Sequence, residues 1–133
     1  MRMQGALRLA AVTALICAGA PIAALAYDFT VPAGVPRQVW FSVSLNEDCS
    51  LMGEDVNRVV VAPEHGRATT RRAVVHPIFA ATNPRHVCNT KSVTAPTIWY
   101  TPQAGYVGED TMTVETIAAG GSSRTVTINI HVK

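Results

Sequence analysis

The run Y-T-P-Q-A-G-Y-V-G-E-D-T-M-T-V, from Tyr100 to Val114, constrains the fold of this chain more than any other stretch. It describes a strand that stops, turns twice on glycine and restarts. Pro102 lacks the N–H needed to continue a ladder, Gly105 and Gly108 can take positive φ, and Asp110 can accept backbone N–H groups at the corner. Elsewhere the period is two. Val39, Phe41, Val43 and Leu45 alternate with Gln38, Trp40, Ser42 and Ser44, and Val126, Ile128, Ile130 and Val132 alternate with Thr125, Thr127, Asn129 and His131. Further strands are expected at 27–31, 56–62, 68–75, 97–101 and 111–117, the last joined to the final strand through a glycine-containing hairpin loop at 118–122. No stretch has the pattern of an amphipathic helix. About seven short strands separated by Pro, Gly and Asn clusters predict an all-β, antiparallel sandwich with Greek-key connections.

Residues 1–26 read as a secretory signal peptide. MRMQGALR is basic, LAAVTALICAGAPIAALA is apolar, and the first carboxylate is Asp28. Ala24-Leu25-Ala26 supplies an A-x-A exit that places Tyr27 at the start of the exported chain. Gly19 and Pro21 interrupt the apolar run, which is short for a bilayer span of about 20 residues. Ile16 before Cys17, and the apolar run after it, argue against lipid attachment there. The expected location is the periplasm or the extracellular space. The whole chain has 11 basic and 9 acidic groups, so losing Arg2 and Arg8 balances the charge. That balance leaves no electrostatic footprint for nucleic acid or an anionic membrane. Residues 27–133 suffice for one domain with a single core.

Cleavage also removes Cys17, leaving Cys49 and Cys88. Two cysteines in an exported protein most simply pair, the alternatives being free thiols or a metal pair. Closing a loop of about 40 residues is worth about 4 kcal/mol in the chain-entropy account. There is no C-x-x-C spacing to support redox chemistry.

Pro63-Glu64-His65-Gly66 after a hydrophobic strand, followed by Tyr100-x-Pro102-x-x-Gly105-Tyr106-x-Gly108-x-Asp110-x-Met112, resembles the bacterial immunoglobulin-like and cadherin-like domains of secreted and surface proteins. The resemblance covers about residues 56–132. It implies that the Y-x-P strand lies at the sandwich edge, that the G-Y-x-G-x-D segment turns the chain, and that the next strand crosses to the other sheet. Met112 stands where those domains usually carry an aromatic residue, and the link from His76 to Ala95 is longer than usual. The adhesive role of tandem arrays of such domains is analogy only.

Asn46, Glu47, Asp48, Glu54 and Asp55 crowd one loop with oxygen ligands, and the cadherin-like resemblance makes Asp48, Glu54 and Asp55 calcium candidates. Their spacing fits no D-x-D-x-D-G loop. A solvated acidic loop pinned by Cys49 is the plainer reading. His65, His76, His86 and His131 show no metal-ligand spacing, and the order of Cys88, Met112 and His131 does not fit a blue-copper site. With no G-x-S-x-G elbow and no acid/base carboxylate pair, an enzyme is not expected. Arg67, Arg71 and Arg72, with Arg85 and Lys91 beyond, suit either an anionic partner or a charged strand face that discourages aggregation. With Phe41 and Val43 facing inward, Trp40 falls out of phase, as does Trp99 relative to Ile98 and Tyr100. If their strands are neighbours, both indoles share one outer face and offer a platform for a sugar ring or protein partner. A covering loop or a phase shift of one residue is the alternative. The expected function is an envelope binding or structural module whose partner is a protein or glycan, the alternative being a small secreted calcium-binding protein.

Overall fold

The computed structural model describes residues 25–133. The expected leader, except Leu25 and Ala26, and Cys17 lie outside the described residues. Seven strands follow in order: β1 Leu25–Val31, β2 Arg37–Phe41, β3 Val56–Val61, β4 Gly66–Val75, β5 Val93–Pro102, β6 Gly108–Ile117 and β7 Ser123–Val132. They form a four-stranded sheet, β1-β7-β6-β3, packed on a three-stranded sheet, β2-β5-β4. The period-two residues of β5, β6 and β7 fill the space between the sheets: Ile98, Tyr100, Met112, Val114, Val126, Ile128, Ile130 and Val132, joined by Val31 and Val39. Each apolar side chain buried this way contributes about 1.5–3 kcal/mol relative to its exposed state.

Three features depart from the sequence expectation. The sandwich is not purely antiparallel, because β1 runs parallel to β7 from Leu25↔Val126 to Val31↔Val132. First and last strands share no hairpin, so no tight turn dictates their relative direction. The Y-x-P strand is not at an edge. β5 lies between β2 and β4, and Pro102 is its last residue, paired with Gly66, where the ladder is ending anyway. Finally, β2 stops at Phe41, opposite Thr97, rather than running to residue 45. The next pairing on β5 would need Pro96, which has no N–H to donate. Leu45 retains only an isolated bridge to Leu51.

The long link carries a 3-10 helix, Pro84–Thr90, which opens on Pro84 and has Asn83 accepting the Arg85 N–H at its cap. It is tied to the β2–β3 connection twice. Cys88 forms a disulfide with Cys49, with Cα atoms 5.4 Å apart, and Arg85 Nε donates to the Leu45 carbonyl at 2.5 Å.

The two halves of the sequence motif meet in one corner. Tyr100 is fully buried and its hydroxyl donates to Asp110 Oδ2 at 2.7 Å. The same carboxylate accepts the backbone N–H groups of Glu64, His65 and Thr111 at 2.9–3.0 Å. Gly105 and Gly108 have φ of 76° and 138°, as the double turn requires, and the chain does cross from one sheet to the other between β5 and β6. The Tyr106 ring stacks on His65 with centroids 4.3 Å apart.

Gly66 is needed because the Tyr100 ring lies on its backbone. A Cβ there would stand 2.5 Å from Cζ and 2.6 Å from the hydroxyl. Packing and the Asp110 hydrogen bond hold that ring in place, so Gly66→Ala is expected to cost about 1–3 kcal/mol as an overpacked site. At about 4–8 °C per kcal/mol, its melting curve should separate clearly from that of Gly120→Ala, where a Cβ meets nothing. Coincident curves would show that the corner has room to relax.

Candidate functional site

Most of the residues singled out by the sequence serve the fold. Burial pushes the Asp110 carboxyl upward, but its bonds from Tyr100, Glu64, His65 and Thr111 outweigh that and hold it below the usual carboxylate range. Burial and then the hydrogen bond to Asp110 push the Tyr100 phenol well above its ordinary value. A carboxylate held low in the fold adds stability above its unfolded pKa and loses it on acidification. Tyr100, Pro102, Gly105, Tyr106, Gly108 and Asp110 therefore act as the structural corner of the sandwich.

The acidic residues of the calcium candidate site go to separate partners. Asp48 accepts from the Ser50 N–H and hydroxyl, Glu54 pairs with Arg72, and Asp55, buried, accepts from the Ser44 hydroxyl at 2.6 Å and the Ala119 N–H at 2.9 Å. Among the described residues no three His, Cys, Asp or Glu side chains come together in a way that would hold a metal ion. The loop is a tight turn in which Cys49 takes φ of 69° and Asn46 and Ser50 bond across it.

The structure corrects the expectation that Trp40 and Trp99 share an outer face. Between Gln38↔Trp99 and Trp40↔Ile98, β2 advances two residues while β5 advances one. This bulge inserts Val39 and shifts the phase, so Val39 and Trp40 are both buried, at 1% and 8% exposure. The Trp40 indole N–H donates to Thr116 Oγ1 at 2.9 Å, and Thr116 in turn donates to Asn57 Oδ1 at 2.7 Å. Ser42 also bonds Asn57, whose amide reaches the Pro96 carbonyl. Trp40 is thus a core residue tied into a satisfied polar network. Trp99 is half-buried on the other side of its sheet, with its N–H bonded to Thr97 and the Arg71 guanidinium carbon 3.5 Å above its ring.

The best candidate for recognition is a cleft of about 660 Å³ on the open side of the sandwich, where β1 and β2 are the unpaired edges of the two sheets. This volume lies within the range of small-ligand sites. Tyr27 and Phe29 line it from β1, Trp40 and Phe41 from β2, and Ile78 and Phe79 from the link after β4. Tyr27 meets Trp40 edge-on with centroids 5.1 Å apart, and the Arg124 guanidinium lies 5.5 Å from the Trp40 ring. The lining is mixed, with more apolar than polar surface, and its polar side includes Gln38, Ser42, Ser44, Asp55, Thr116, Ser122, Ser123 and Arg124. Ile78, at its rim, is 82% exposed.

The Phe79 wall is held in place. Asn89 accepts the Phe79 N–H and donates to the Phe79 carbonyl, both at 2.9 Å, and the helix carrying Asn89 is stapled through Cys88. Sequence reasoning missed this wall because residues 76–95 lack strand or helix periodicity. The short apolar run Ile78-Phe79 within that link was the available signal.

A shallower polar hollow of about 500 Å³ lies beside the corner, lined by Asp28, Glu64, Glu109 and His131 among others. His131 Nδ1 is 2.5 Å from Glu109 Oε2, and its Nε2 is 3.7 Å from Asp28 Oδ1. The Glu109 hydrogen bond, ahead of Asp28, raises the His131 pKa above its ordinary 6.5. A raised folded-state value gives stabilisation that is complete below the unfolded pKa and lost as pH rises through the folded one. An NMR titration should therefore place the His131 midpoint above 6.5, and Glu109→Gln should bring it down. Equal midpoints in the two proteins would remove the Glu109 interaction from solution.

The fold and cleft define the class: a disulfide-stapled, two-sheet β-sandwich with an aromatic cleft along its open edge. The sequence matches no family model, and neither a curated protein nor a solved structure matches it.

Proposed function

We propose that this chain is an exported immunoglobulin-like binding module of the bacterial cell envelope that engages a protein or glycan partner at the cleft between β1 and β2. The observation that carries the reading is the cleft itself, with Tyr27, Phe29, Trp40 and Phe79 among its lining, more apolar than polar surface, and the exposed Ile78 at its rim. Aromatic-rich concavities of this kind are where ligands and partner side chains gain most from desolvation. Strand order supports the immunoglobulin-like part: 2-5-4 against 7-6-3 parallels B-E-D against G-F-C, with the first strand joined to the seventh. The Cys49–Cys88 bridge suits an oxidising compartment, as does the leader expected from the sequence. Tyr100 and Asp110, the titratable pair of the corner, are engaged in holding the fold, and binding is the reading the cleft supports.

The test is a screen of the purified protein against panels of envelope glycans and envelope proteins, repeated with Ile78→Asp and Arg124→Glu. Both positions are exposed, so the fold should tolerate either change. Specific partners should lose about tenfold in affinity, the effect of roughly 1.4 kcal/mol. Partners indifferent to both variants would place recognition elsewhere, and the lack of any partner in either panel would remove the binding reading.

A further inference from the structure

We infer that the outer face of the β2-β5-β4 sheet is a second binding surface, for an acidic polysaccharide. Charge is segregated in this fold. Strands β2, β4 and β5 carry Arg37, Arg67, Arg71 and Arg72 and not one acidic residue. Arg72 is paired with Glu54, and on the other sheet Arg58 is paired with Glu115. Arg67 and Arg71 have no carboxylate in ion-pair range among the described residues. Both are exposed on a free edge strand, and register puts them on the Trp99 face, with Arg71 opposite Thr97, Thr69 opposite Trp99 and Arg67 opposite Thr101.

Arg71 is preorganised. Its guanidinium carbon sits 3.5 Å above the Trp99 ring, and the ring is fixed by the indole bond to Thr97. Stacking occupies the flat faces of a guanidinium and leaves its in-plane N–H groups free, which is the geometry that grips a carboxylate with two parallel bonds. Less side-chain freedom is then lost on binding.

The spacing and surroundings select the ligand class. Arg67 and Arg71 are four residues apart on one strand face, about 13 Å at the usual rise, too far to share one carboxylate. They suit anionic groups repeated along a chain. Thr69, Thr101 and Gln38, which pairs with Trp99 from β2, add hydroxyl and amide groups around the stacked pair that match the hydroxyls of sugars. A nucleic acid fits less well, because Arg71 already caps the indole that a base would stack on, and the formal charge of the whole chain is only +2.

The experiment measures binding of the purified protein to polyuronate oligomers at low and moderate salt, with polyglutamate and single-stranded DNA as competing anions. Polyuronate should bind best and weaken with salt. Arg67→Gln and Arg71→Gln should each weaken it about five- to tenfold. Arg71→Lys, which keeps the charge but not the planar fork, should also weaken it, while Arg58→Gln should not. Ile78→Asp should leave polyuronate binding unchanged, which separates this surface from the cleft. The inference is overturned if polyuronate does not bind, if the Arg58 variant loses as much as the Arg71 variant, or if either competing anion binds as tightly. It is likewise overturned if the Arg67→Gln/Arg71→Gln protein binds normally but aggregates, since the arginines would then protect the β4 edge.

Discussion

Trp40→Ala should lower the thermal midpoint of this protein by on the order of 15–30 °C, because it removes about 3–5 kcal/mol from a domain whose total stability is of the order of 5–15 kcal/mol. The indole fills the space between the sheets and supplies the hydrogen bond at the head of the Thr116–Asn57–Ser42 network. Truncation leaves a cavity and deprives Thr116 of a donor. Trp40→Phe keeps most of the packing and loses the hydrogen bond, so it should fall between wild type and the alanine variant. The Trp99→Leu variant should melt close to wild type, because that ring is half-buried and its partner Arg71 is exposed. Acrylamide should quench Trp99 more readily than Trp40. A midpoint unchanged in Trp40→Ala would return the indole to the surface and contradict the bulge that buries it.

Reducing the Cys49–Cys88 bridge should have an effect of similar size, about 4 kcal/mol, because the closed loop spans a sequence separation of 39. A non-reducing digest should recover the two cysteine peptides linked, and the Cys49→Ser/Cys88→Ser protein should reproduce the melting curve of the reduced one. The consequence reaches the cleft. The helix carrying Cys88 also carries Asn89, which holds the Phe79 backbone through two hydrogen bonds. Any partner found to depend on Ile78 should therefore bind the reduced protein more weakly, at temperatures where it remains folded. Identical melting with and without reductant would show that the bridge adds nothing to the fold.

The corner and the strands were legible because their causes are local. Alternation in 126–132 needs only a pleat with one buried face, and it marks β7 correctly. Gly105, Gly108 at the start of β6 and Asp110 within it specify the turn through backbone freedom and hydrogen-bonding capacity, and the structure uses each in that way. The cysteine count foresaw the bridge. The Trp40 phase is not legible in the sequence, because alternation across 38–45 is continuous there, while the inserted residue is visible only against the register of β5. The parallel β1–β7 pairing and the central place of β5 depend equally on partners distant in the chain.

The sequence by itself determined an all-β chain of alternating strands and the double-glycine corner, since each depends on the covalent preferences of a few adjacent residues, and the cysteine pair, since only two cysteines follow the expected leader. Tertiary structure alone decided which strands are edges, where the bulge turns Trp40 inward, and that Tyr27, Trp40 and Phe79, from three separate segments, line one cleft. Those outcomes come from pairing and packing between segments far apart in the chain, where no local rule specifies the partner and the buried surface of the whole selects the register.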